Sequence, residues 1–291
     1  MEPQPNQPPL IVIVGETASG KSALAVDLAR HFNGEIIAAD SRTVYHGLDI
    51  GTAKPTARQQ QAVPHHLLDI AAPNEQVTAA QYKVLAQKTI QNIAARGKVP
   101  FLVGGTGLYI DAVLYDFSFP AKGDAAERQR FQQLGVPELQ EELQVRGIPL
   151  PANALNPRHL VRQLETGGVP AQPKNLRPNT LVLGLATDRN MLEQRITDRV
   201  ERMFGNGLTA EVQQLVATYG WGTPALQTIG YQEFRAYLKG QATLDETKTL
   251  IIRNTIQYAK RQRTWFRRNK SIHWIGRKEE SVDLITTFLN K

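Results

Sequence analysis

The sequence predicts an α/β fold, a parallel sheet flanked by helices and interrupted by a mostly helical insertion. Three observations carry that expectation. Short apolar runs at 10–14, 35–39, 99–103 and 181–185 alternate with longer segments of helical spacing, the pattern of strand–helix–strand units in a parallel sheet. The first run, Leu10 to Val14, leads straight into a glycine-rich turn and a helix-forming stretch, Ala23 to Arg30. From Phe119 to Arg177 the apolar runs stop, and charged helical segments broken by Pro149, Pro151 and Pro157 take their place.

The turn after the first strand reads Gly15-Glu16-Thr17-Ala18-Ser19-Gly20-Lys21-Ser22, a G-x-x-x-x-G-K-S phosphate loop in its strand–loop–helix context. The core is therefore expected to be P-loop NTPase-like. Two glycines let successive N–H groups converge on one anion, and the helix N-terminus adds its dipole. Lys21 supplies a full charge, and Ser22 can hold a Mg²⁺ that bridges phosphate oxygens. The loop does not specify which phosphate it holds.

The remaining elements follow in order. Glu35 to Ala39 reads as a second buried strand that delivers Asp40-Ser41 at its carboxyl end, the edge where parallel sheets bind ligands; a simple turn aspartate would explain Asp40 equally well. A long polar loop, Asp49 to Pro55, exceeds what a connection needs. Val63 to Ile70 suggests a short strand, and its His65-His66 pair suits hydrogen bonding better than zinc, with no third ligand nearby. Thr78 to Arg96 is an amphipathic helix. Val99 to Val103 is a strand that runs into Gly104-Gly105-Thr106-Gly107, a second glycine turn at the same edge.

After the insertion, Leu181 to Leu185 returns to the sheet. Met191 to Phe204 is a helix in which Arg195, Arg199 and Arg202 alternate with Glu193, Asp198 and Glu201. Such a face reads most simply as a solvated lattice of ion pairs, and alternatively as a lid offering arginines to phosphates. Leu208 to Tyr219 and a helix opening at Gly230 precede a long helix, Leu244 to Arg268, then a strand from Ser271 to Ile275 and a helix from Val282 to Leu289. The expected division is 1–118 and 178–291 for the core and 119–177 for the insertion.

Composition limits the function. The chain of 291 residues is 41% hydrophobic and 21% charged and contains no cysteine, which suits a globular core and excludes disulfides and cysteine-ligated metal centres. Met1 to Pro9 has no Lys or Arg and four prolines, unlike a secretion signal, and no apolar run approaches membrane-spanning length; a cytoplasmic protein with no membrane attachment is the expectation. Net charge is +7, yet Thr247 to Lys278 alone holds ten Lys or Arg and no Asp or Glu. A local excess of that kind is the footprint of polyanion binding, and Trp265, Phe266 and Trp274 within it could stack on bases.

Taken in order, the P-loop, Asp40-Ser41-x-x-x-Tyr45-x-Gly47-x-Asp49-Ile50-Gly51-Thr52-Ala53-Lys54-Pro55, Pro64-His65-His66-Leu67-Leu68-Asp69, Gly104-Gly105-Thr106-Gly107-Leu108-Tyr109, Ile229-Gly230-Tyr231 and Lys260-Arg261-Gln262-x-x-Trp265-Phe266 resemble the bacterial tRNA dimethylallyltransferase (tRNA isopentenyltransferase) family over nearly the whole chain. The resemblance implies transfer of a dimethylallyl group from dimethylallyl diphosphate to N6 of adenosine 37 in tRNAs reading codons that begin with U, by a Mg²⁺-using monomer. It implies that Gly15 to Ser22 hold the diphosphate, with Ser22 on the metal. Asp40 would be the general base, and Thr17, Lys21 and Thr106 would share in catalysis. Asp40, Ser41, Arg42, Thr43 and Thr106 would line the tRNA channel. Arg128, Arg158, His159, Leu160, Val161 and Arg162 would contact tRNA from the insertion, and Lys260, Arg261, Arg263 and Arg267 from the core. Two departures stand out: some relatives have proline in place of Glu16, whose side chain is expected to face solvent, and some have arginine in place of Gln227, a loss that Arg195, Arg199 or Arg202 would offset. The competing readings are a prenyltransferase acting on free adenine nucleotide, a small-molecule P-loop kinase and a nucleic-acid-binding NTPase.

Overall fold

The inner strands are short and cross the buried layer. In the computed structural model, which describes residues 7–120 and 123–290, β1 (Leu10–Val14) is buried at every position. So is β2 (Gly34–Ala39). With β3 (His65–His66), β4 (Val99–Gly104), β5 (Thr180–Leu185) and β6 (Ile272–Ile275) they form one six-stranded sheet in the order β3-β2-β4-β1-β5-β6, parallel at every pairing. A sheet covered on both faces needs continuous apolar strands rather than alternating ones, which is how the inner strands β1, β4 and β5 read.

Register decides where the chemistry lies. Val14 pairs with Gly104, and Ala39 pairs with the same Gly104. The three strands therefore end level, and Gly15, Asp40 and Gly105 leave the sheet side by side. Gly104 has no substitute here, because a Cβ would lie 2.0 Å from the Ala39 carbonyl oxygen. Beneath this edge, Ile11, Ile13, Phe101, Val103, Leu181 and Leu183 pack against Ala25, Leu28 and Ala29 of α1 (Lys21–His31) and Ile285 of the C-terminal helix Lys278–Leu289.

Helices begin where side chains can satisfy the free N–H groups of a first turn. α2 (Ala57–Ala62) and α3 (Ala79–Ala95) each open on a capping box, Thr56 with Gln59 and Thr78 with Gln81. On the other side of the sheet, Tyr82 of α3 stacks on Tyr109 of α4 (Gly107–Leu114), with centroids 4.0 Å apart. The expected strand 63–70 shrinks to His65–His66 because Leu67 and Asp69 take positive φ, 62° and 50°, which ends extended pairing.

The chain divides into two units, 1–114 with 176–291, and 115–175. The second is built from α5 (Ala125–Gln133), α6 (Val136–Val145) and α7 (Pro157–Glu165) around Phe131, Leu139, Leu143, Leu160, Val161 and Leu164. The first continues after β5 with α8 (Arg189–Gly205), α9 (Leu208–Tyr219), α10 (Phe234–Leu238), α11 (Leu244–Phe266) and, after β6, α12 (Lys278–Leu289). Among the described residues no helix is long and apolar enough to cross a membrane. Residues 1–6 of the proline-rich start lie outside the described residues.

Candidate active site

The phosphate loop takes its shape from Ala18 and Gly20, at φ 61° and 94°, which turn the backbone inward before Lys21 opens α1. Lys21 Nζ donates to the Glu16 carbonyl at 3.1 Å. Ser19 Oγ is buried and has no partner among the described residues, an orphan donor of the kind a bound anion satisfies. Burial lowers the Lys21 pKa to about 8; nearby Asp40 and Glu16 oppose the shift and Arg199 adds to it.

Two residues of α11 fix this loop from outside. Gln262 accepts from Thr17 N at 2.8 Å and donates to the Gly105 carbonyl at 2.9 Å, so one side chain joins both glycine turns. Glu16 is buried, at 5% exposure, rather than turned to solvent as expected. Arg263 reaches it with two N–H groups, Nη2 at 2.9 Å, and also donates to the Thr187 carbonyl. The added negative charge beside the anion site is thereby neutralised inside the fold, and Arg263 directs its guanidinium to Glu16 instead of outward.

Asp40 faces the same space. Its Oδ1 accepts from Arg42 N at 2.9 Å, and Thr43, which is buried, holds the Asp40 carbonyl at 3.4 Å. Thr106 accepts from Ser41 N at 2.9 Å and donates to Ser41 Oγ at 3.4 Å, which locks the two strand-end loops together. Asp40, Thr17, Lys21, Ser22 and Thr43 line one cavity of about 90 Å³, with Arg199, Tyr258 and Gln262. The Tyr258 hydroxyl faces Asp40 and Thr106, and burial, then the Asp40 charge, push its pKa up to about 12. The lower wall, Ala25, Ile36, Ala38, Leu68 and Val103, is apolar. An open groove of about 940 Å³ adjoins on the outer side of the phosphate loop, lined by Lys21, Ser22, Arg195, Arg199 and Arg202.

The ion-pair lattice expected on α8 is only partly present. Arg189 does pair with Glu193, but Arg195 donates to the Ser19 carbonyl at 3.3 Å and Arg199 to the Thr52 carbonyl at 3.0 Å. Both arginines thus point at the phosphate loop and its neighbour, the direction of the alternative reading. The His pair makes hydrogen bonds, His66 Nε2 to Glu35 at 2.6 Å and His65 Nδ1 to the Val63 carbonyl at 2.8 Å, and among the described residues no three His, Asp or Glu gather as a metal site.

The basic stretch divides into used and unused charge. Lys248 pairs with Glu201, Arg263 with Glu16, Arg277 with Glu280 and Lys278 with Asp27. Arg253, Lys260, Arg261, Arg267, Arg268 and Lys270 are exposed and form no ion pair among the described residues. Of the three aromatics only Phe266 is closed to bases, buried at 2% exposure; Trp265 and Trp274 are exposed, and the Trp265 indole, set beside Gly107, donates its N–H to Asp111 at 2.8 Å. In the unit 115–175, Leu160 and Val161 belong to the apolar core, so their side chains do not reach a partner. Arg128 and Arg162 both pair with Glu165, and Arg158 and His159 are exposed.

A family model described as IPP transferase matches residues 43–269. The chain belongs to this IPP transferase family. The tRNA dimethylallyltransferase of Desulforudis audaxviator is 42% identical over 94% of this chain and 93% of its own length, and that of a Picosynechococcus species is 41% identical over 96% and 98%. Among solved structures, the full-length tRNA isopentenylpyrophosphate transferase of Bacillus halodurans superposes with a TM-score of 0.76 at 37% identity, covering 97% of both chains. A eukaryotic dimethylallyltransferase acting on tRNA superposes at 0.73 and 27% identity, over 89% of this chain and 70% of its own.

Within the IPP transferase fold the Gln227 position is occupied structurally. Its amide donates to the Trp221 carbonyl, in a recess shared with Glu233, Arg235 and Asn254, whereas Arg195, Arg199 and Arg202 line the groove at the phosphate loop. Three residues that sequence reasoning missed now stand out: Tyr258, Gln262 and Glu211. Glu211 accepts from the backbone N–H groups of Asp49, Ile50 and Gly51. The hint for Gln262 was a neutral residue inside a run of cations, Lys260 to Arg263; Glu211 left none, since an acid in a first helical turn already has a reason to be there.

Proposed function

We propose that the chain transfers a dimethylallyl group from dimethylallyl diphosphate to N6 of adenosine 37 in tRNAs reading codons that begin with U. The observation that carries the proposal is the meeting of a phosphate loop and a strand-end carboxylate, Asp40, in one cavity with an apolar wall. The relatives' names support the reaction, and the cavity's combination of phosphate loop and carboxylate is consistent with it.

In the proposed reaction the allylic carbon–oxygen bond breaks, the N6–carbon bond forms, inorganic diphosphate leaves and the N6 proton passes to Asp40. The phosphate-loop N–H groups and Lys21 neutralise the charge that grows on the departing diphosphate, Arg199 adds a second cation from α8, and the Thr17 hydroxyl serves the bridging oxygen. Adenine N6 is a weak nucleophile because its lone pair is delocalised, so a carboxylate accepting its proton lowers the barrier. Tyr258 and Thr106 orient Asp40 and the entering base, which has left its stack to reach a buried site. Mg²⁺ fits the hard oxygen donors here, since it binds through few protein ligands plus phosphates: Ser22 would hold it, and it would supply further charge neutralisation.

The tRNA is proposed to bind as a polyanion on Lys260, Arg261, Arg267 and the neighbouring unpaired cations, and on Arg158 and His159 of the insertion, with Arg42 and Ser41 at the channel mouth. The chain is proposed to act as a cytoplasmic monomer. The test is label transfer from radioactive dimethylallyl diphosphate to three acceptors offered separately: tRNA with A37, the same tRNA with G37, and AMP. Label on A37 tRNA alone is expected. Label on AMP would replace tRNA with a free nucleotide, and ATP hydrolysis without label transfer would return the loop to ordinary nucleotide chemistry.

A further inference from the structure

Glu211 lies on α9, outside the cavity, yet holds one of its walls. Its Oε2 accepts from Asp49 N at 3.1 Å and Ile50 N at 2.7 Å, and its Oε1 accepts from Gly51 N at 3.0 Å and from the Tyr231 hydroxyl at 2.7 Å. Three consecutive backbone N–H groups on one carboxylate form an anion nest closed by the protein's own side chain. The fit is tight on the far side too: a Cβ on Gly51 would lie 2.6 Å from the Tyr231 ring. Burial and then the Glu211 charge raise the Tyr231 pKa, so the phenol stays a donor.

The next residue in the loop is Thr52, whose carbonyl accepts from Arg199 at 3.0 Å. Arg199 in turn faces Lys21 and Asp40 in the cavity. A line of hydrogen bonds thus runs from Glu211 through the loop 49–52 to the guanidinium beside the phosphate loop. Each member is held by hydrogen-bond geometry, which transmits displacement.

We infer that Glu211 is a positioning residue for diphosphate binding, acting through Arg199. The inference rests on the transferase reading for its biological meaning and on geometry for its mechanism. The experiment therefore measures two quantities on the full chain: affinity for inorganic diphosphate by calorimetry, and KM for dimethylallyl diphosphate with tRNA in excess. Glu211→Gln can satisfy only half of the nest. It is expected to weaken both by about tenfold, the worth of one charge-assisted hydrogen bond, with KM for tRNA unchanged. Glu211→Gln combined with Arg199→Ala is expected to be no weaker than Arg199→Ala alone, because the two lie on one path. Tyr231→Phe leaves the three backbone bonds in place and should change the affinity far less than Glu211→Gln. If Glu211→Gln does not fold, Glu211→Asp, which keeps the charge but withdraws it by one methylene, replaces it in the same cycle. A fall in melting temperature with unchanged diphosphate affinity, or additive losses in the double variant, would overturn the inference. Absence of label transfer in the unaltered chain would remove the transferase reading and leave the calorimetric cycle standing.

Discussion

Arg261 and Arg263 are two residues apart on one helix and carry the same charge, yet the structure gives them different work. Arg261 is exposed, its guanidinium 5.6 Å over the Tyr258 ring. Arg263 is bidentate on buried Glu16. Replacing Arg263 by Ala leaves a carboxylate under the phosphate loop without its partner. Breaking a fully buried pair costs about 3–5 kcal/mol; the Arg263 side chain is 25% exposed, and water reaching it reduces that to about 2–3 kcal/mol. For a chain of this size the loss is about 3–5 °C in melting temperature. The orphaned charge also repels an incoming diphosphate, so diphosphate affinity falls as well. Arg263→Gln with Glu16→Gln removes both charges and should recover most of the stability. Arg261→Ala should leave melting unchanged and reduce the slope of log K for tRNA against log salt by about one. The assays are thermal unfolding with and without inorganic diphosphate, and tRNA binding across a salt series. If Arg263→Ala flattened the salt slope while melting stayed put, Arg263 would be a phosphate contact and the internal pairing would be incidental.

Three further outcomes are expected. Asp40→Asn keeps an oxygen for Arg42 N but cannot take a proton; kcat should fall by about 10²–10⁴-fold with inorganic diphosphate affinity preserved, and near-full turnover would remove Asp40 as the base. Diphosphate binding should weaken as pH rises above about 8: the free chain holds Lys21 at about 8, the bound anion raises it, and binding above that pH must therefore take up a proton. Calorimetry in buffers of different ionisation enthalpy reads this uptake directly, and Lys21→Met should abolish it; a flat profile would mean Lys21 does not meet the anion. Gly104→Ala forces a Cβ into the Ala39 carbonyl; soluble, fully active protein would show that the level strand ends are not required.

The sheet and the phosphate loop were legible because each is written in consecutive residues. Leu10 to Ser22 carries strand, turn and helix start together, and the run Ile36-Ile37-Ala38-Ala39 puts Asp40 at a strand end, although its role rested on the family resemblance. What stayed hidden is chemistry that joins distant segments. Thr17 and Gln262 are 245 positions apart, and Glu211 is 160 from Gly51; no periodicity links such pairs. Arg195 and Arg199 were disguised by alternation with acids, which fits an exposed lattice as well as it fits two arginines reaching for carbonyl oxygens. Glu16 misled for a simpler reason: burial of a carboxylate depends on its partner, and Arg263 lies at the other end of the sequence. Even the Ile229-Gly230-Tyr231 motif reads as a helix start until Tyr231 is seen filling the space that Gly51 leaves empty.

The strand order explains how a phosphate cradle can serve a bond other than the phosphoryl one. β4 lies between β1 and β2, and the three strand ends are level. Neighbouring strands are about 4.8 Å apart, so Gly15 and Asp40 leave the sheet roughly 10 Å from each other. A carboxylate placed to orient water or metal at a terminal phosphate belongs close to the cradle. One set a strand further away leaves a gap that must be filled before it can act. In the proposed reaction a diphosphate in the cradle, a short allylic chain and the amine that attacks it would together span such a gap, with the amine at the carboxylate end. Gly104 ends the intervening strand without a side chain, which lets it lie against the Ala39 backbone, and Gln262 joins the first half of the gap, between Thr17 and Gly105. The distance between cradle and carboxylate is thus set by sheet topology rather than by any one side chain, while the charge of Glu16, which lies outside the cavity lining, is neutralised by Arg263.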